Sequence, residues 1–213
     1  MNGPELFADA LACRRGERLL FADLSFRLGA GGAVFVSGPN GSGKSSLLRL
    51  LATLIPAAEG RLLWGGAPVE KDLAAYRQNL HYLGHQDAIK PALSPRETLL
   101  FAAALRGVAA ARSAVEEALA AFALENLADW PNRWLSAGQR RRLALSRLMV
   151  APAPLWLLDE PFACLDPENQ KRLEAALRAH REKGGRVILV SHSADPLEGA
   201  QKVELGRKKE QTP

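Results

Sequence analysis

The fold of this chain is decided by residues 38–45, which read Gly38-Pro39-Asn40-Gly41-Ser42-Gly43-Lys44-Ser45. The stretch matches the pattern G-x-x-x-x-G-K-[ST], in which glycines let successive backbone N–H groups surround a polyphosphate while a lysine and a hydroxyl complete the cradle. The apolar residues 33–36 predict a short buried strand before it, and residues 45–51 predict a helix whose N-terminus faces the phosphates. A glycine-rich turn without a ligand is the alternative, but the order of strand, loop and helix favours a nucleotide site.

The composition is that of an ordinary globular protein, with 213 residues of which 47% are hydrophobic and 24% charged. This length suits one large domain or one domain with a substantial insertion. The formal net charge is +5, but the basic excess is scattered apart from the runs Arg140-Arg141-Arg142 and Arg207-Lys208-Lys209. We therefore expect no dedicated nucleic-acid surface.

The two cysteines and the absence of a long apolar run indicate the compartment. Cys13 and Cys164 lie far apart among apolar or small residues, which predicts small buried hydrophobes in a reducing compartment rather than a disulfide. The N-terminus lacks a basic segment followed by an apolar one, and no apolar run is long enough to span a bilayer. We expect a soluble, cytoplasmic chain that reaches a membrane only through a partner.

The first part of the chain predicts strands. Residues 6–13 and 19–28 alternate apolar with polar or small residues around a turn at residues 14–17, which is typical of an antiparallel pair. Residues 81–85 predict a further strand that ends at Gln86. These segments and the phosphate loop belong to one strand-rich core.

Two capping boxes predict a helical region after that strand. Ser94 is followed three residues later by Glu97, and Ser113 by Glu116, so residues 94–128 should be mostly helical. We interpret the chain as a single α/β domain with an inserted helical subdomain. The proposed boundaries are 1–86 and 135–213 for the core and 87–134 for the subdomain.

The second core segment alternates strands with helices. Residues 155–158 form an apolar run without alternation that ends in two acids, as expected for a strand covered on both faces. Helical periodicity follows over residues 169–183, and residues 187–190 predict another buried strand that leads into His192. This order predicts a mostly parallel sheet with its site at the carboxyl ends of the strands.

The chain offers a candidate for each requirement of phosphoryl transfer to water. That reaction needs Mg²⁺ to bridge the phosphates, donors for the developing charge and a group that activates water. Lys44 is the candidate for the β- and γ-phosphates, Ser45 for the metal, and Asp159 for the metal directly or through water. Glu160 is the candidate general base. A solvated strand end is the alternative for the two acids.

A second anion site is predicted at residues 135–139, which read Leu-Ser-Ala-Gly-Gln just before a helix. Ser136 and Gly138 would expose a hydroxyl and backbone N–H groups at the positive end of the helix dipole, although the stretch taken alone is an ordinary cap. The further motif residues are, in sequence order, Gln86, Asp159, Glu160, Asp166 and His192. Together these motifs resemble the ABC-transporter ATPase family over essentially the whole chain.

The resemblance implies a P-loop NTPase of the ABC type in which two copies close head to tail over two ATP molecules and Mg²⁺. Segment 136–139 of one copy would cover the ATP that is held on the phosphate loop of the other. The implied nucleotide-contacting residues are Arg15, Gly38, Pro39, Asn40, Gly41, Ser42, Gly43, Lys44, Ser45, Ser46, Ser136, Ala137, Gly138, Gln139 and Asp166. The implied Mg²⁺ residues are Ser45, Gln86 and Asp159, and the implied catalytic residues are Glu160, His192 and Gln86.

The family also implies particular roles. Gln86 would sense the metal and the attacking water, and Asp166 would act across the dimer interface. His192 would hold the γ-phosphate, Glu160 and the water, with a satisfied histidine at a strand end as the alternative.

Three positions depart from the family pattern. Ala137 stands where glycine is common and is tolerable if its φ is negative. Arg15 stands about where an aromatic usually stacks on adenine, and its planar guanidinium can also stack on a base. Cys164 stands where alanine is usual, which we interpret as a packing variation.

One branch of the family is most similar, on residues 82–91 and 93–99. It comprises the ATP-binding subunits of the heme exporter of cytochrome c maturation. The branch implies a peripheral subunit on the cytoplasmic face of the inner membrane, bound to integral-membrane partners, whose ATP hydrolysis supports release of a heme-loaded periplasmic chaperone. Heme ligation by His81 and His85 is not expected, since nothing else in the sequence indicates a heme pocket.

Three other functions remain open at this point. A soluble ABC-type ATPase acting on nucleic acid or ribosomes usually carries two ATPase domains or long coiled coils, whereas this chain has one phosphate loop and no sustained heptads. An ATPase of another small-substrate transporter shares every motif. A small-molecule P-loop kinase explains Lys44 and Asp159 but leaves Gln86, Ser136 and His192 without a role.

Overall fold

The structure is a computed structural model that describes residues 3–191 and 197–206. His192 therefore lies outside the described residues. Within that range the strands are β1 (Leu6–Arg15), β2 (Arg18–Leu28), β3 (Ala33–Ser37), β4 (Glu59–Trp64), β5 (Ala67–Pro68), β6 (Leu80–Leu83), β7 (Leu155–Asp159), β8 (Arg186–Val190) and β9 (Gln201–Glu204). The α-helices are α1 (Lys44–Leu51), α2 (Leu73–Gln78), α3 (Pro95–Ala104), α4 (Arg112–Ala121), α5 (Ala137–Val150) and α6 (Pro167–Glu182).

The strands form two sheets, one of which is parallel. The parallel sheet has the order β6-β7-β8-β3-β9, and the antiparallel sheet has the order β2-β1-β4-β5. This confirms the predicted α/β fold with an N-terminal antiparallel part, including the β1–β2 hairpin.

The register of the parallel sheet aligns the carboxyl ends of its strands. Leu83 of β6 pairs with Leu158 of β7, Leu158 pairs with Leu189 of β8, and Leu189 pairs with Phe35 of β3. One residue further on, Asp159 therefore lies level with the end of β3. Since neighbouring strands are about 4.8 Å apart, the two strands that carry the acids and the phosphate loop are separated by only one strand.

The apolar run of each central strand is buried on both faces, as predicted. In β3, Ala33 and Phe35 contact a core that contains residues of α3, α4, α5 and α6, whereas Val34 and Val36 contact a core that contains α1 and the antiparallel sheet. The helical segment therefore packs on one face of the sheet and shares its hydrophobic core. The boundaries 87–134 for a separate subdomain stay a prediction.

The helical region starts as predicted but is interrupted. Ser94 caps α3 in a capping box with Glu97, and Pro95 is the first helical residue, which confirms that box. The second predicted box is wrong, because α4 begins at Arg112 after Ala111, which gives no side-chain cap, and Ser113 is already helical. Residues 105–111 lie between the two helices, where Gly107 has a φ of 70°.

Two smaller sequence predictions are also wrong. The strand predicted over residues 81–85 ends at Leu83, so His85 lies beyond β6 rather than on the same face as His81. Cys13 is buried as predicted. Cys164, in contrast, is exposed in a loop, where its φ is 63°. None of the described helices has the length and apolar character needed to cross a bilayer.

Two histidines pack at the end of the sheet that lies away from the phosphate loop. The His180 ring stacks on Trp156 with ring centres 3.8 Å apart, and His81, which pairs with Trp156 across β6 and β7, donates from Nε2 to the Ala151 carbonyl oxygen. Burial lowers the pKa of each histidine to about 4. Both imidazoles are therefore neutral in the folded protein at neutral pH.

We expect the free energy of unfolding to decrease as the pH falls from about 6.5 to about 4. In this window the unfolded chain binds a proton at each of these histidines and the folded chain does not, so protonation favours unfolding, by roughly 3 kcal/mol for His81 alone. Urea unfolding at several pH values measures the effect. A His81→Gln, His180→Gln variant should show a shallower loss over the same window, and a profile parallel to that of the wild type would contradict the assignment.

Candidate active site

The phosphate loop connects β3 to α1 in a conformation that requires glycine at two positions. Gly38 has a φ of 138°, and a Cβ atom there would lie 2.3 Å from the Leu205 carbonyl oxygen. Gly43 precedes α1 with a φ of 103°. The left-handed conformations are accessible to glycine at little cost, so these glycines set the path of the loop.

Lys44 donates hydrogen bonds within this loop. Its side chain is only 7% exposed, and Nζ donates to the carbonyl oxygens of Gly38 at 2.7 Å and of Pro39 at 3.1 Å. The buried Ser42 hydroxyl has no hydrogen-bond partner within the described part of the chain. Ser45 and Ser46 follow in the first turn of α1, where backbone N–H groups and the helix dipole favour an anion.

Asp159 ends β7 as a buried carboxylate that fits a metal site. The residue is 2% exposed, and among the described residues Oδ2 has no hydrogen-bond partner. A buried ionised carboxylate without partners is costly unless a cation or ordered water satisfies it. A hydroxyl and a carboxylate suit Mg²⁺, which keeps several waters and takes substrate phosphates as ligands.

Glu160 follows in a turn that changes the direction of the chain after β7. Its φ is 49°, uncommon for a residue with a side chain and found at sites where the fold over-determines the backbone. Its backbone N–H donates to the Val190 carbonyl oxygen at 2.9 Å, which ties the turn to β8. The two acids thus leave the sheet at the edge that also carries the phosphate loop.

Gln86 lies at the same edge of the parallel sheet, whereas Arg15 lies in the antiparallel hairpin, of which Phe21 approaches Gly43. Gln86 is exposed, three residues beyond the end of β6, which neighbours β7. Arg15 is exposed at the end of β1, in the hairpin of the antiparallel sheet. Ser191, the last described residue before the gap, is buried after β8, between the strands of Asp159 and the phosphate loop.

The segment 136–139 opens helix α5 with a reciprocal capping box. The Ser136 hydroxyl oxygen accepts from the Gln139 backbone N–H, and the Gln139 side-chain oxygen accepts from the Ser136 backbone N–H at 2.7 Å. The Ser136 hydroxyl keeps its hydrogen for an outside acceptor. Ala137 is the first helical residue, so its methyl group causes no strain. At Gly138 a Cβ atom would lie 2.9 Å from the Cys164 carbonyl oxygen.

Asp166 is the N-cap residue of helix α6. It follows the loop in which the Cys164 carbonyl oxygen approaches Gly138. Its carboxylate accepts from the backbone N–H of Asn169 at 2.8 Å and from the side-chain amide of the same residue. These hydrogen bonds, the backbone one first, lower the pKa of Asp166 below its usual range. Asp166 is therefore an ionised, exposed acid next to the segment 136–139.

One positioning residue was missed by sequence reasoning. Arg141 is 4% exposed, and its Nη1 donates to the Gly84 carbonyl oxygen at 3.2 Å and to the Asp87 carboxylate at 2.9 Å. Its Nη2 donates to the carbonyl oxygens of Asp159 at 2.8 Å and of Glu160 at 2.6 Å. A single guanidinium therefore joins helix α5, the loop of Gln86 and the acidic turn.

A periodic signal could have found Arg141. In the sequence it stands in the middle of three arginines, which reads as a solvated charge run. However, Arg141, Leu145 and Leu148 recur at the spacing of one helical face, and all three are buried. A charged residue on the apolar stripe of a helix indicates a buried partner.

Comparison with known proteins identifies the family of this chain. The family model described as ABC transporter matches residues 21–163. The chain is 53% identical to the cytochrome c biogenesis ATP-binding export protein CcmA of Rhodospirillum rubrum, over 96% of this chain and 87% of that protein. It is 50% identical to the protein of the same name from Paramagnetospirillum magneticum, over 96% and 95% of the two chains.

A solved structure shows the same fold at lower identity. The putative ABC transporter ATP-binding protein of Pyrococcus furiosus aligns with a TM-score of 0.83 at 22% identity, over 94% of this chain and 97% of that one. The class is that of ABC-type ATPases, which bind and hydrolyse ATP to drive transport. The chain belongs to the ABC transporter family of ATP-binding proteins and, within it, to the CcmA type.

We expect Arg141→Lys to lower ATP turnover by roughly 10-fold to 100-fold while ATP binding changes little. A lysine ammonium cannot reach four acceptors that lie on two loops, so the acidic turn loses hydrogen bonds that hold its backbone. Losses of this size are usual when a group that orients an active-site residue is removed. Steady-state hydrolysis and a direct ATP titration measure the two effects.

The matched control is Arg178→Lys, at an exposed position of helix α6. It should hydrolyse ATP at the wild-type rate. Wild-type turnover by Arg141→Lys as well would show that the guanidinium does not position the acids.

Proposed function

We propose that this chain is the ATP-hydrolysing subunit of a heme-export complex for cytochrome c biogenesis, bound to the cytoplasmic face of the inner membrane. The observation that carries the proposal is the common edge of the parallel sheet, where the phosphate loop, the buried Asp159 and Glu160 meet. The 53% identity to a cytochrome c biogenesis ATP-binding export protein supports the transport task.

The residues have distinct roles in hydrolysis. Lys44 leaves the carbonyl oxygens of Gly38 and Pro39 to bind the β- and γ-phosphates, and the loop N–H groups take the remaining phosphate oxygens. Glu160 accepts the proton of the attacking water, and Gln86 orients that water. His192 binds the γ-phosphate in the same proposal, because in the sequence it follows the end of β8 by two residues.

Mg²⁺ would be held by Ser45 and Asp159, with Gln86 nearby, and it would neutralise charge on the phosphates. The buried Oδ2 of Asp159, which lacks a protein partner among the described residues, supports this assignment. The pattern of one hydroxyl and one carboxylate leaves room for phosphate and water ligands.

A second copy of the chain completes the site. Ser136 and the N-terminus of helix α5 are exposed with a hydroxyl hydrogen and helix N–H groups available, yet within the described residues they make their capping hydrogen bonds to one another and none to the phosphate loop. In a head-to-tail dimer they would close on the γ-phosphate held by the partner, and Asp166 would act across the interface.

The membrane subunit would dock beside Gln86. A cleft of about 630 Å³ lies there, lined by apolar and basic side chains that include Leu105, Arg106 and Arg147. Leu105 is 71% exposed at the end of helix α3, which gives a partner helix an apolar contact. Docking in this cleft would place the membrane subunit next to the residue that orients water. We propose no direct heme contact, since Nε2 of His81 donates to a backbone carbonyl oxygen and His85 lies beyond the end of β6, so the two histidines do not form a pair on one strand face.

We expect Glu160→Gln to bind Mg-ATP, to lose nearly all hydrolysis and to accumulate as an ATP-dependent dimer. The amide cannot accept a proton but keeps the size of the side chain. Sedimentation with and without ATP, together with phosphate release, measures both effects. Wild-type turnover by this variant would show that Glu160 is not the general base.

Two further substitutions separate the halves of the site. In the Glu160→Gln background, Lys44→Ala should lose ATP affinity in the monomer, whereas Ser136→Arg should bind ATP as a monomer and fail to dimerise. A Ser136→Arg protein that still dimerises with ATP would contradict the proposed dimer contact.

We expect Leu105→Asp to prevent recovery of the chain with co-expressed membrane subunits of the export complex, because a carboxylate at the cleft would lose the apolar contact. Leu54→Asp, at an exposed leucine beyond the far end of helix α1, is the control and should copurify normally. Copurification measures the effect, and equal recovery of both variants would place the docking face elsewhere. Binding to nucleic acid that weakens steeply with salt would instead support the soluble ATPase.

A further inference from the structure

Two tryptophans stand exposed next to the segment 136–139. Trp130 is 53% exposed and Trp134 is 63% exposed, and their rings meet edge to face with centres 6.2 Å apart. The Arg133 guanidinium lies 5.3 Å from the centre of the Trp134 ring. Large aromatic surfaces of this kind, held by neighbours yet open to solvent, mark binding sites.

The backbone directs Trp134 and Ser136 to the same side. Leu135 and Ser136 are both extended, with φ/ψ of −71°/140° and −64°/167°. Alternate residues of an extended segment share a face, and Leu135, between them, is buried at 3% exposure. The Cα atoms of Trp134 and Ser136 are then about 7 Å apart. The indole therefore extends from the same surface as the Ser136 hydroxyl.

The segment that carries Trp134 is anchored firmly. Asn132 is 1% exposed, and its side-chain amide donates to the Lys90 carbonyl oxygen at 3.0 Å and to the Thr98 hydroxyl at 2.8 Å. Its backbone N–H donates to the Leu93 carbonyl oxygen at 2.8 Å. A side chain on such a support loses little conformational entropy when it binds a flat ligand.

Among the described residues, the hairpin beside the phosphate loop exposes little aromatic surface to a base. Arg15 is exposed at the end of β1, about where the family usually has an aromatic residue. Phe21, which lies beside Gly43, is only 8% exposed. The Arg15 guanidinium is then the flat group that the hairpin offers to a base, and an exposed aromatic ring from a second copy would add an apolar stacking partner.

We propose that Trp134 is a base-binding residue that acts across the dimer and stacks on the adenine of ATP held by the phosphate loop of a second copy. The inference rests on the proposed head-to-tail dimer and deepens it. When Ser136 contacts the γ-phosphate of the partner's ATP, Trp134 lies beside Ser136 on the same surface. The Trp134 ring then extends along the nucleotide towards its base. Arg133 covers part of the indole and adds positive charge near the triphosphate.

The test measures nucleotide-dependent dimerisation in the Glu160→Gln protein by sedimentation. Three variants are compared in this background: Trp134→Ala, Trp134→Phe and the exposed-leucine control Leu54→Ala. Each is titrated with Mg-ATP and with the Mg complex of ribose 5-triphosphate, which lacks the base. Thermal unfolding and ATP binding to the dilute monomer show that each variant is folded.

We expect Trp134→Ala to raise the ATP concentration for half-maximal dimer by roughly tenfold, because stacking of a base on an aromatic side chain is lost. Trp134→Phe should stay within about twofold of the parent, and Leu54→Ala should match it. With the base-free triphosphate, Trp134→Ala and the parent should dimerise alike. Monomer affinity for ATP should not change, since the contact is made in trans.

Three results would overturn the inference in distinguishable ways. Dimerisation of Trp134→Ala at the parent's ATP concentration would exclude the stacking contact. An equal loss with ATP and with ribose 5-triphosphate would show that Trp134 contacts protein and not the base. If the Glu160→Gln parent itself stays monomeric with ATP, the proposed dimer is wrong and the base contact fails with it.

Discussion

The hydrogen bonds of the buried Arg141 guanidinium are the interaction on which the site depends. Four acceptors on two loops converge on one planar group, and only an arginine offers several donors in a fixed fork. Removal of one partner from a buried pair such as Arg141 and Asp87 leaves a charge uncompensated and costs about 3–5 kcal/mol. Helix α5 therefore cannot shift without moving the backbone of the acidic turn, which couples segment 136–139 to the proposed catalytic residues.

The parallel sheet supplies the second constraint. Because β7, β8 and β3 are in register, the acidic turn and the phosphate loop leave the sheet at one level, and no long side chain is needed to bring them together. The backbone of Glu160 is held in an uncommon conformation by its hydrogen bond to Val190. The fold tolerates this strain because β7 and β8, which flank the turn and its hydrogen bond, are buried in apolar cores.

Local patterns in the sequence predicted the elements that local chemistry determines. The glycine pattern of the phosphate loop, the alternation in the β1–β2 hairpin and the Ser94 capping box each depend on neighbouring residues alone. Ser113 fitted the same capping pattern, but α4 starts before it, at Arg112, without a side-chain cap. The exposure of Cys164 and the burial of Arg141 depend on contacts between distant segments, which no local pattern specifies.

Some groups in each half of the proposed composite site already make hydrogen bonds within the single chain. Lys44 donates to carbonyl oxygens of its own loop, and Ser136 with Gln139 completes its own capping box. When ATP binds, Lys44 must exchange its two hydrogen bonds to loop carbonyl oxygens for bonds to phosphate, and each exchanged hydrogen bond contributes only about 1 kcal/mol. The net driving force for dimerisation therefore has to come from two other sources. One is the charge of the triphosphate, which faces Lys44 and the N-terminus of helix α5. The other is apolar surface, such as the exposed indole of Trp134. In the proposed dimer, loss of the γ-phosphate would remove this charge, so ATP hydrolysis would favour separation of the two copies.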